Sequence, residues 1–272
     1  LGMCPNEAIR HISDGKILNL IGPPGTGKNL YVENILKLIN GIDSDEFLYM
    51  TVLTADSTKE DLLGRFVMQS NGKLEFIQGK FLLANKAAEL DPENIYAFMM
   101  DEAQTCRSSE IFKNIINAVY SGGSIELDTG QEIRIAPNLR LIIASNPVDV
   151  DFEFQQDSTI RRSTVIKMLP LWDNIQIQEK IKHRIKVDSN IVDKLIVILT
   201  NANKRLKELR YSEYAGIGHS LLLDINIENI EDLEYHINYK LIPYIENIFK
   251  DDIRDNMNII NELKSLIGNK NE

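Results

Sequence analysis

The chain has 272 residues, of which 43% are hydrophobic and 26% charged, and its formal net charge is −10 at pH 7. This length and balance allow a sizeable core in one large domain or two smaller ones. The acidic charge argues against a broad nucleic-acid-binding face but is compatible with a local basic loop. Cys4 and Cys106 form no CxxC pair, and no apolar run approaches the ~18 residues of a membrane span. We therefore expect a cytoplasmic protein without a disulfide framework, a zinc site or a membrane contact.

The first motif along the chain is a glycine-rich loop between a predicted strand and a predicted helix. The apolar run Ile17–Ile21 is typical of a short buried strand, and a helix is predicted over residues 29–39. Such a loop lets backbone N–H groups converge on phosphates, while the helix N-terminus and a lysine add positive charge. We expect a nucleoside triphosphate to bind at Gly22, Pro23, Pro24, Gly25, Thr26, Gly27, Lys28, Asn29 and Leu30.

A helix, a strand and a second helix are predicted between this loop and residue 63. In the helix over 29–39, the apolar residues Leu30, Ile35, Leu38 and Ile39 fall roughly on one side. A strand over 49–53 is followed by a short helix to residue 63, which a capping box from Ser57 to Glu60 would start.

An insert near residues 65–80 interrupts the alternation of strands and helices. Asn71-Gly72 lies between two β-rich runs, which indicates a hairpin whose two turn residues both accept positive φ. A helix is then predicted over residues 81–90.

The following segment supplies further buried strands. Residues 95–100 are a continuous apolar run, and a further buried strand is predicted over 139–144. A helix over 109–120 and a second hairpin over 124–135 are predicted between them. Strands that alternate with helices favour an α/β fold, with a mostly parallel sheet and helices on both faces.

The composition changes after Pro170. The remainder is rich in Ile, Leu, Lys, Glu and Asn, and helices are predicted over 191–209, 230–249 and 255–267. We therefore predict an α/β nucleotide-binding domain over 1–170 and a smaller helical lid domain over 171–272.

Polar side chains follow two of the predicted strands. Asp101 at the end of an apolar strand can hold Mg²⁺, and Glu102 can polarise an attacking water. Asn146 can reach the γ-phosphate or hold that water. The alternatives are a solvated loop for the acidic pair and an Asn-Pro turn for Asn146.

Asn29 departs from the usual phosphate loop, which has Ser or Thr at this position to ligate Mg²⁺ through a hydroxyl. An amide oxygen can also ligate Mg²⁺, although its reach differs. The predicted metal ligands are therefore Asp101 and Asn29, and tight nucleotide binding with slow hydrolysis is one expected outcome.

Three residues further along the chain are candidates for nucleotide contacts. Arg161 or Arg162 can act as an arginine finger on a neighbouring subunit, or the two form a surface basic pair. His219 can approach the nucleotide from the lid, or it is a buried histidine beside a glycine turn.

The order of these elements resembles the AAA+ ATPases, and the insert resembles the helix-2 insert of one AAA+ subgroup. That subgroup includes MoxR-like proteins, magnesium chelatase, dynein-type modules and McrB, the motor of modification-dependent restriction. The segments that carry the subgroup resemblance are Asp61-Leu62-Leu63-Gly64 and Gln78-Gly79-Lys80-Phe81. The segments most similar to McrB are Ala136-Pro137-Asn138-Leu139, Arg161-Arg162, Ile217-Gly218-His219-Ser220, Leu241-Ile242-Pro243-Tyr244-Ile245-Glu246 and Asp251-Asp252.

Two segments depart from the McrB pattern. Asn146-Pro147-Val148-Asp149 stands where McrB-like proteins have Asn-Thr-Ala-Asp, and Ala103-Gln104 follows Asp101-Glu102 where Ile-Asn-Arg is usual. McrB prefers GTP, but the departure at residues 146–149 leaves the choice between GTP and ATP open for this chain.

The resemblance implies a Mg²⁺-dependent nucleoside triphosphatase that assembles into a homo-oligomeric ring, hexameric in expectation. A McrB-like ring would move DNA through its pore for a McrC-like nuclease partner. Lys73, near the hairpin tip, would then contact DNA, or it is simply a solvated lysine. The alternatives are a MoxR-like ATPase that remodels a protein and a nucleotide-gated assembly subunit with little turnover.

Overall fold

The computed structural model describes residues 5–106, 109–146, 161–210, 212 and 215–268. Two units are distinguished by their internal contacts: residues 5–22 with 28–168, and residues 23–27 with 169–268. The glycine-rich residues 23–27 thus group with the later part of the chain. The pair of functional domains with a boundary near Pro170 stays a prediction.

The first unit contains a parallel sheet, two hairpins, five α-helices and a short 3₁₀ helix, Ala103–Thr105, among its described residues. Its helices are α1 (Pro5–Asp14), α2 (Lys28–Asn40), α3 (Lys59–Leu63), α4 (Lys80–Leu90) and α5 (Ser109–Ser121). Its strands are β1 (Ile17–Ile21), β2 (Leu48–Val52), β3 (Gly64–Met68), β4 (Leu74–Gln78), β5 (Tyr96–Asp101), β6 (Ser124–Glu126), β7 (Glu132–Arg134), β8 (Leu139–Ser145) and β9 (Thr164–Lys167).

The main sheet has the strand order β2-β5-β8-β1-β9, and all its neighbouring strands run parallel. The central strands β1 and β8 are buried along their whole length, in keeping with their largely apolar sequences. This confirms the predicted α/β fold with a parallel sheet.

Helices cover both faces of this sheet. Phe98 of β5 meets Phe81 of α4 edge to face, with ring centroids 5.3 Å apart. Arg140 of β8 points to the opposite face, since its neighbour Leu141 is paired with Phe98 and successive side chains alternate. There its guanidinium donates to the carbonyls of Ile12 (2.7 Å) and Ser13 (3.2 Å) near the end of α1. Burial lowers the pKa of Arg140 from its ordinary value.

The two hairpins share one turn geometry, which differs from the predicted one. In the first, the amide of Gln69 donates to Lys73 O (2.8 Å) and the amide of Gly72 to Gln69 O (2.9 Å). Gly72 has φ +76°, whereas Asn71 is not among the described residues with positive φ, so the prediction of two positive-φ residues is wrong. A three-residue loop needs only its last residue in the left-handed region. The second hairpin repeats this pattern with Gly130 at φ +76°.

Two local predictions in the first unit also need correction. The capping box of α3 lies one residue later than predicted: the amide of Thr58 donates to the Asp61 carboxylate (2.8 Å). In α2 the buried stripe is Tyr31, Val32, Ile35 and Leu36. Leu30 and Leu38, predicted on the apolar side, are 58% and 57% exposed.

The second unit is mainly helical in its described part, around a core of its own. Its α-helices are α6 (Ile175–Arg184), α7 (Ser189–Arg210), α8 (Ser220–Leu223), α9 (Ile230–His236), α10 (Ile242–Ile248) and α11 (Met257–Gly268). The helix predicted over 230–249 is confirmed as a continuous helical stretch from Ile230 to Ile248, in which a π-helical segment, Ile237–Leu241, joins α9 to α10. Pro243, two residues after this segment, has no N–H for a regular helical bond, which accounts for the local change from α-helix to π-helix.

None of the helices in the described ranges is both long enough and apolar enough to cross a membrane.

Candidate functional site

The glycine-rich loop has the backbone that its sequence demands. Gly25 and Gly27 have φ +73° and +82°, in the left-handed region that favours glycine. The hydroxyl of Thr26 donates to Pro23 O at 2.9 Å and closes the turn. Such a turn directs successive N–H groups into one concavity, which is how an anion is held.

The same loop contacts residues 218–220 in the second unit. The amide of Ser220 donates to Gly25 O at 3.0 Å. A Cβ on Gly218 would lie 2.1 Å from Pro24 O, so only glycine fits this approach. The structure thus brings the predicted segment around His219 to the loop through backbone contacts.

His219 itself is buried, and the amide of Leu171 donates to its Nδ1 at 3.5 Å. Burial lowers the pKa of His219 from its ordinary value, which favours the neutral imidazole. The carbonyl of Ile217, two residues before His219, accepts a hydrogen bond from Trp172 Nε1 (2.7 Å). The Ile217 amide donates to Asn203 Oδ1 (3.0 Å). These bonds hold the segment beside the loop in place.

In the first unit, Lys28 begins α2 directly after the loop and is buried. Its ammonium donates to Gly22 O at 2.9 Å. The Gly22 amide in turn donates to Ser145 O at 3.2 Å, which ties the end of β1 to the end of β8. The lysine is therefore held at the sheet edge where these strands end.

Asp101 and Asn146 belong to this same edge. Ser145 lies opposite Ile21, and Met100 lies opposite Ile143, so β5, β8 and β1 end within about two residues of one another. The carboxyl ends of neighbouring parallel strands are where open α/β sheets bind ligands.

Gln104 links Glu102 to Asn146, a connection that was not predicted. Its amide nitrogen donates to the Glu102 carboxylate, and its amide oxygen accepts from the Asn146 backbone N–H at 3.0 Å. Glu102 has φ +53° and is the one non-glycine residue of the described chain with positive φ. A glutamate in this region carries strain on the order of 1 kcal/mol, and such strain clusters at functional sites. The sequence feature that could have indicated this link is the amide side chain of Gln104, two residues after Glu102.

Asn29 and Asp101, the two predicted metal ligands, lie in contact. The Asn29 amide nitrogen is 3.2 Å from Asp101 Oδ2 and 3.3 Å from Met50 Sδ. The other carboxylate oxygen, Oδ1, accepts from the Glu102 amide at 2.9 Å. The residues therefore fit Mg²⁺ in part: Asp101 offers the oxygen ligands that this cation prefers, while Asn29 presents its NH₂ group.

The remaining predicted site residues are placed less centrally. Arg162 donates to Asn117 Oδ1 at 2.7 Å, and its guanidinium lies 5.7 Å from the centroid of the Tyr120 ring, both on α5. Arg161 is exposed. The exposed side chain of Leu30 points away from the core of its unit. Cys4, Arg107 and the segment Pro147-Val148-Asp149 lie outside the described residues.

The parallel sheet, the glycine-rich loop and the acidic pair at a neighbouring strand end define a P-loop nucleotide-binding protein. The family described as AAA domain (dynein-related subfamily) matches residues 17–163. The chain belongs to this family and is thus an AAA+ ATPase domain.

Comparison with curated proteins finds no match. The chain is similar to a solved structure from Cytophaga hutchinsonii described as a presumptive ATPase. The two are 14% identical, the match covers 90% of this chain and 87% of the other, and the TM-score is 0.42.

Proposed function

We propose that this chain is the subunit of a nucleotide-driven motor, which binds and hydrolyses ATP or GTP within a ring of like subunits. The observation that carries the proposal is the common sheet edge at which Lys28, Asp101, Glu102 and Asn146 are held. Phosphoryl transfer needs little more from a protein than positioned charges and a positioned water.

Each residue has a distinct role in this proposal. Lys28 and the backbone N–H groups of residues 22–27 bind the phosphates, and Glu102 accepts a proton from the attacking water. Asn146 holds that water or the γ-phosphate. Mg²⁺, when bound at Asp101, would neutralise charge on the β- and γ-phosphate oxygens.

The proposed arginine finger requires a neighbouring subunit. AAA+ proteins commonly form rings, and a hexamer is the form proposed here. Arg161 or Arg162 is the candidate for reaching a neighbour's nucleotide. The low cysteine content favours a reducing compartment such as the cytoplasm.

Two substrates are proposed for the motor, and each has its own supporting observation. The McrB-like segments and Lys73 in the turn of the β3-β4 hairpin favour DNA, with a McrC-like nuclease as partner. On the same hairpin, Phe66, Met68 and Leu74 share one face and are 50%, 70% and 65% exposed. Exposed apolar surface favours a protein substrate, as for a MoxR-like ATPase.

The first experiment measures phosphate release from ATP and from GTP in Mg²⁺, together with the mass in solution. Glu102→Gln should lower kcat by about 10²-fold or more with nucleotide binding retained, because the general base is lost. Lys28→Ala should abolish binding. Lys37→Ala is the matched control, since Lys37 lies on the same helix and pairs with Asp43 and Asp45. Unchanged turnover in Glu102→Gln would contradict the proposed role of this residue.

A second experiment separates the two substrates. DNA binding by the nucleotide-loaded oligomer that weakens steeply with salt would support the DNA motor. Tight binding of nucleotide and assembly without DNA binding would favour the protein-remodelling role, and assembly without turnover would favour the nucleotide-gated assembly subunit.

A further inference from the structure

We infer that the Asn29 amide donates a hydrogen bond to the Asp101 carboxylate and competes there with a divalent cation. The affinity of this chain for nucleotide therefore depends little on Mg²⁺. The inference rests on the proposed nucleotide binding and adds a property to that same site. It is based on the contacts of the Asn29 side chain, which stands where a phosphate loop usually has the hydroxyl of Ser or Thr.

Both oxygens of the Asp101 carboxylate have a donor. The Glu102 amide donates to Oδ1 at 2.9 Å, and the Asn29 amide nitrogen donates to Oδ2 at 3.2 Å. Hydrogen bonds to an ionised carboxylate are among the stronger ones in proteins. Each oxygen keeps a second lone pair, so a cation at Oδ2 would share that oxygen with the Asn29 NH₂ group, whose partial positive charge opposes it.

The orientation of the Asn29 amide follows from its neighbours. An ionised carboxylate only accepts hydrogen bonds, and the thioether sulfur of Met50, 3.3 Å from the same nitrogen, is a weak acceptor. The NH₂ group must therefore face both of them, with the amide oxygen turned away. If the amide were reversed, two acceptor oxygens would stand about 3.2 Å apart, which is repulsive unless a cation lies between them.

A hydroxyl would behave differently at this position. Ser or Thr carries its donor and its lone pairs on one oxygen, so it can donate to Asp101 and ligate a cation at the same time. An amide separates these functions onto two atoms, and its nitrogen is not a metal ligand. A Mg²⁺ ion that takes Asn29 as a ligand therefore requires the amide to turn over and to give up its bond to Asp101.

Nucleotide binding itself does not require this rearrangement. The proposed phosphate ligands are Lys28, whose ammonium donates to Gly22 O at 2.9 Å, and the N–H groups of the loop, and none of them needs a cation at Asp101 in order to bind an anion. The expected result is a cation affinity about tenfold to a hundredfold below that of a hydroxyl-containing loop, with nucleotide affinity nearly unchanged.

The test uses the full chain and two readouts that do not depend on turnover. Fluorescent mant-ATP and mant-GTP are titrated in EDTA and in Mg²⁺, and Mn²⁺ binding to the nucleotide complex is measured by electron paramagnetic resonance. The variants are Asn29→Ser, Asn29→Ala and, as a control on the same helix, Asn34→Ala, whose side chain donates to Leu30 O.

The wild type should bind nucleotide with an affinity that changes by less than about threefold between EDTA and Mg²⁺. Asn29→Ser should bind Mn²⁺ about tenfold more tightly than the wild type. Asn29→Ala decides the mechanism, because it removes the donor without supplying a ligand. Tighter Mn²⁺ binding in Asn29→Ala supports competition, whereas weaker binding shows that Asn29 is itself a ligand and overturns the inference.

The same titrations distinguish a failure of the proposed nucleotide binding from a failure of this inference alone. If no form of the chain binds either nucleotide at any cation concentration, the proposed function is overturned together with this inference. If nucleotide binds only with Mg²⁺ in the wild type, the function stands and the inference alone falls.

Discussion

The backbone amide of Ser220 donates a hydrogen bond of 3.0 Å to the carbonyl of Gly25, so the tip of the glycine-rich loop is paired with a segment almost two hundred residues later in the chain. Gly218 makes this approach feasible, because a side chain there would meet the carbonyl of Pro24. The conformation of the loop therefore depends on residues 217–220.

Gly218→Ala should lower nucleotide affinity by at least about tenfold, because the new Cβ would stand 2.1 Å from Pro24 O and must push the loop out of place. The measurement is a titration with mant-ATP and mant-GTP. Gly268→Ala is the control, since a Cβ at the end of α11 meets nothing within 4 Å. Equal affinity in both variants would show that the loop tolerates displacement of its partner segment.

Gln104→Glu should lower kcat by about 10-fold to 100-fold and leave KM nearly unchanged. The substitution places a second carboxylate against Glu102 and removes the amide that holds it, although an oxygen still accepts from the Asn146 amide. Steady-state phosphate release checks this. Gln131→Glu, at an exposed position of the second hairpin, controls for the added charge. A rise in KM with unchanged kcat would assign Gln104 to nucleotide binding instead.

Asn138→Asp should destabilise the protein by about 2–4 kcal/mol. The amide nitrogen of Asn138 donates to the carbonyls of Ala88, Asp91 and Asn94 at 2.9, 2.9 and 2.7 Å. A carboxylate of the same shape would face these oxygens with an acceptor.

The midpoint of urea unfolding measures this loss. Asn34→Asp, on the surface of α2, carries the same change in charge at a position with a single local bond and should shift the midpoint little. An Asn138→Asp midpoint equal to that of the control would mean that the three carbonyls find other donors.

The protein should lose stability as the pH falls below about 6.5. Burial lowers the pKa of His219 below its ordinary value of 6.5, with Asp224 offsetting part of the effect, and burial also lowers the pKa of His236. The unfolded chain therefore takes up protons first, so stability declines as the pH falls through 6.5 toward the folded pKa values.

Urea unfolding at pH 7.5 and at about pH 5.5 measures this effect. His219→Asn keeps an acceptor for the Leu171 amide and cannot be protonated, so its midpoint should change less between the two pH values. The exposed His183 supplies the control variant His183→Asn. An identical pH response in wild type and His219→Asn would assign the acid sensitivity to other groups.

The central strands of this fold were predictable from local sequence patterns, whereas the details of its turns were not. The largely apolar runs of β1, β5 and β8 predicted the central strands to within a residue or two, because strands that are buried on both faces are predominantly apolar. The turns were less predictable. Asn71-Gly72 indicated a hairpin but not its loop length, which the pairing of Gln69 with Lys73 decides. The exposed Leu30 shows that an apolar residue on a helix need not face the core.

By itself, the sequence determined the class of this protein. A glycine-rich loop ending in Lys28, an acidic pair after an apolar strand and Asn146 after another are short motifs whose chemistry follows from residue type and spacing. Only the tertiary structure decided how these residues meet. The bridge from Gln104 to Asn146 spans 42 positions, the bond from Asn29 to Asp101 spans 72, and Gly25 pairs with Ser220. Such contacts depend on the strand order and register of the folded sheet and on the return of the chain to the loop, neither of which is present in any local stretch of sequence.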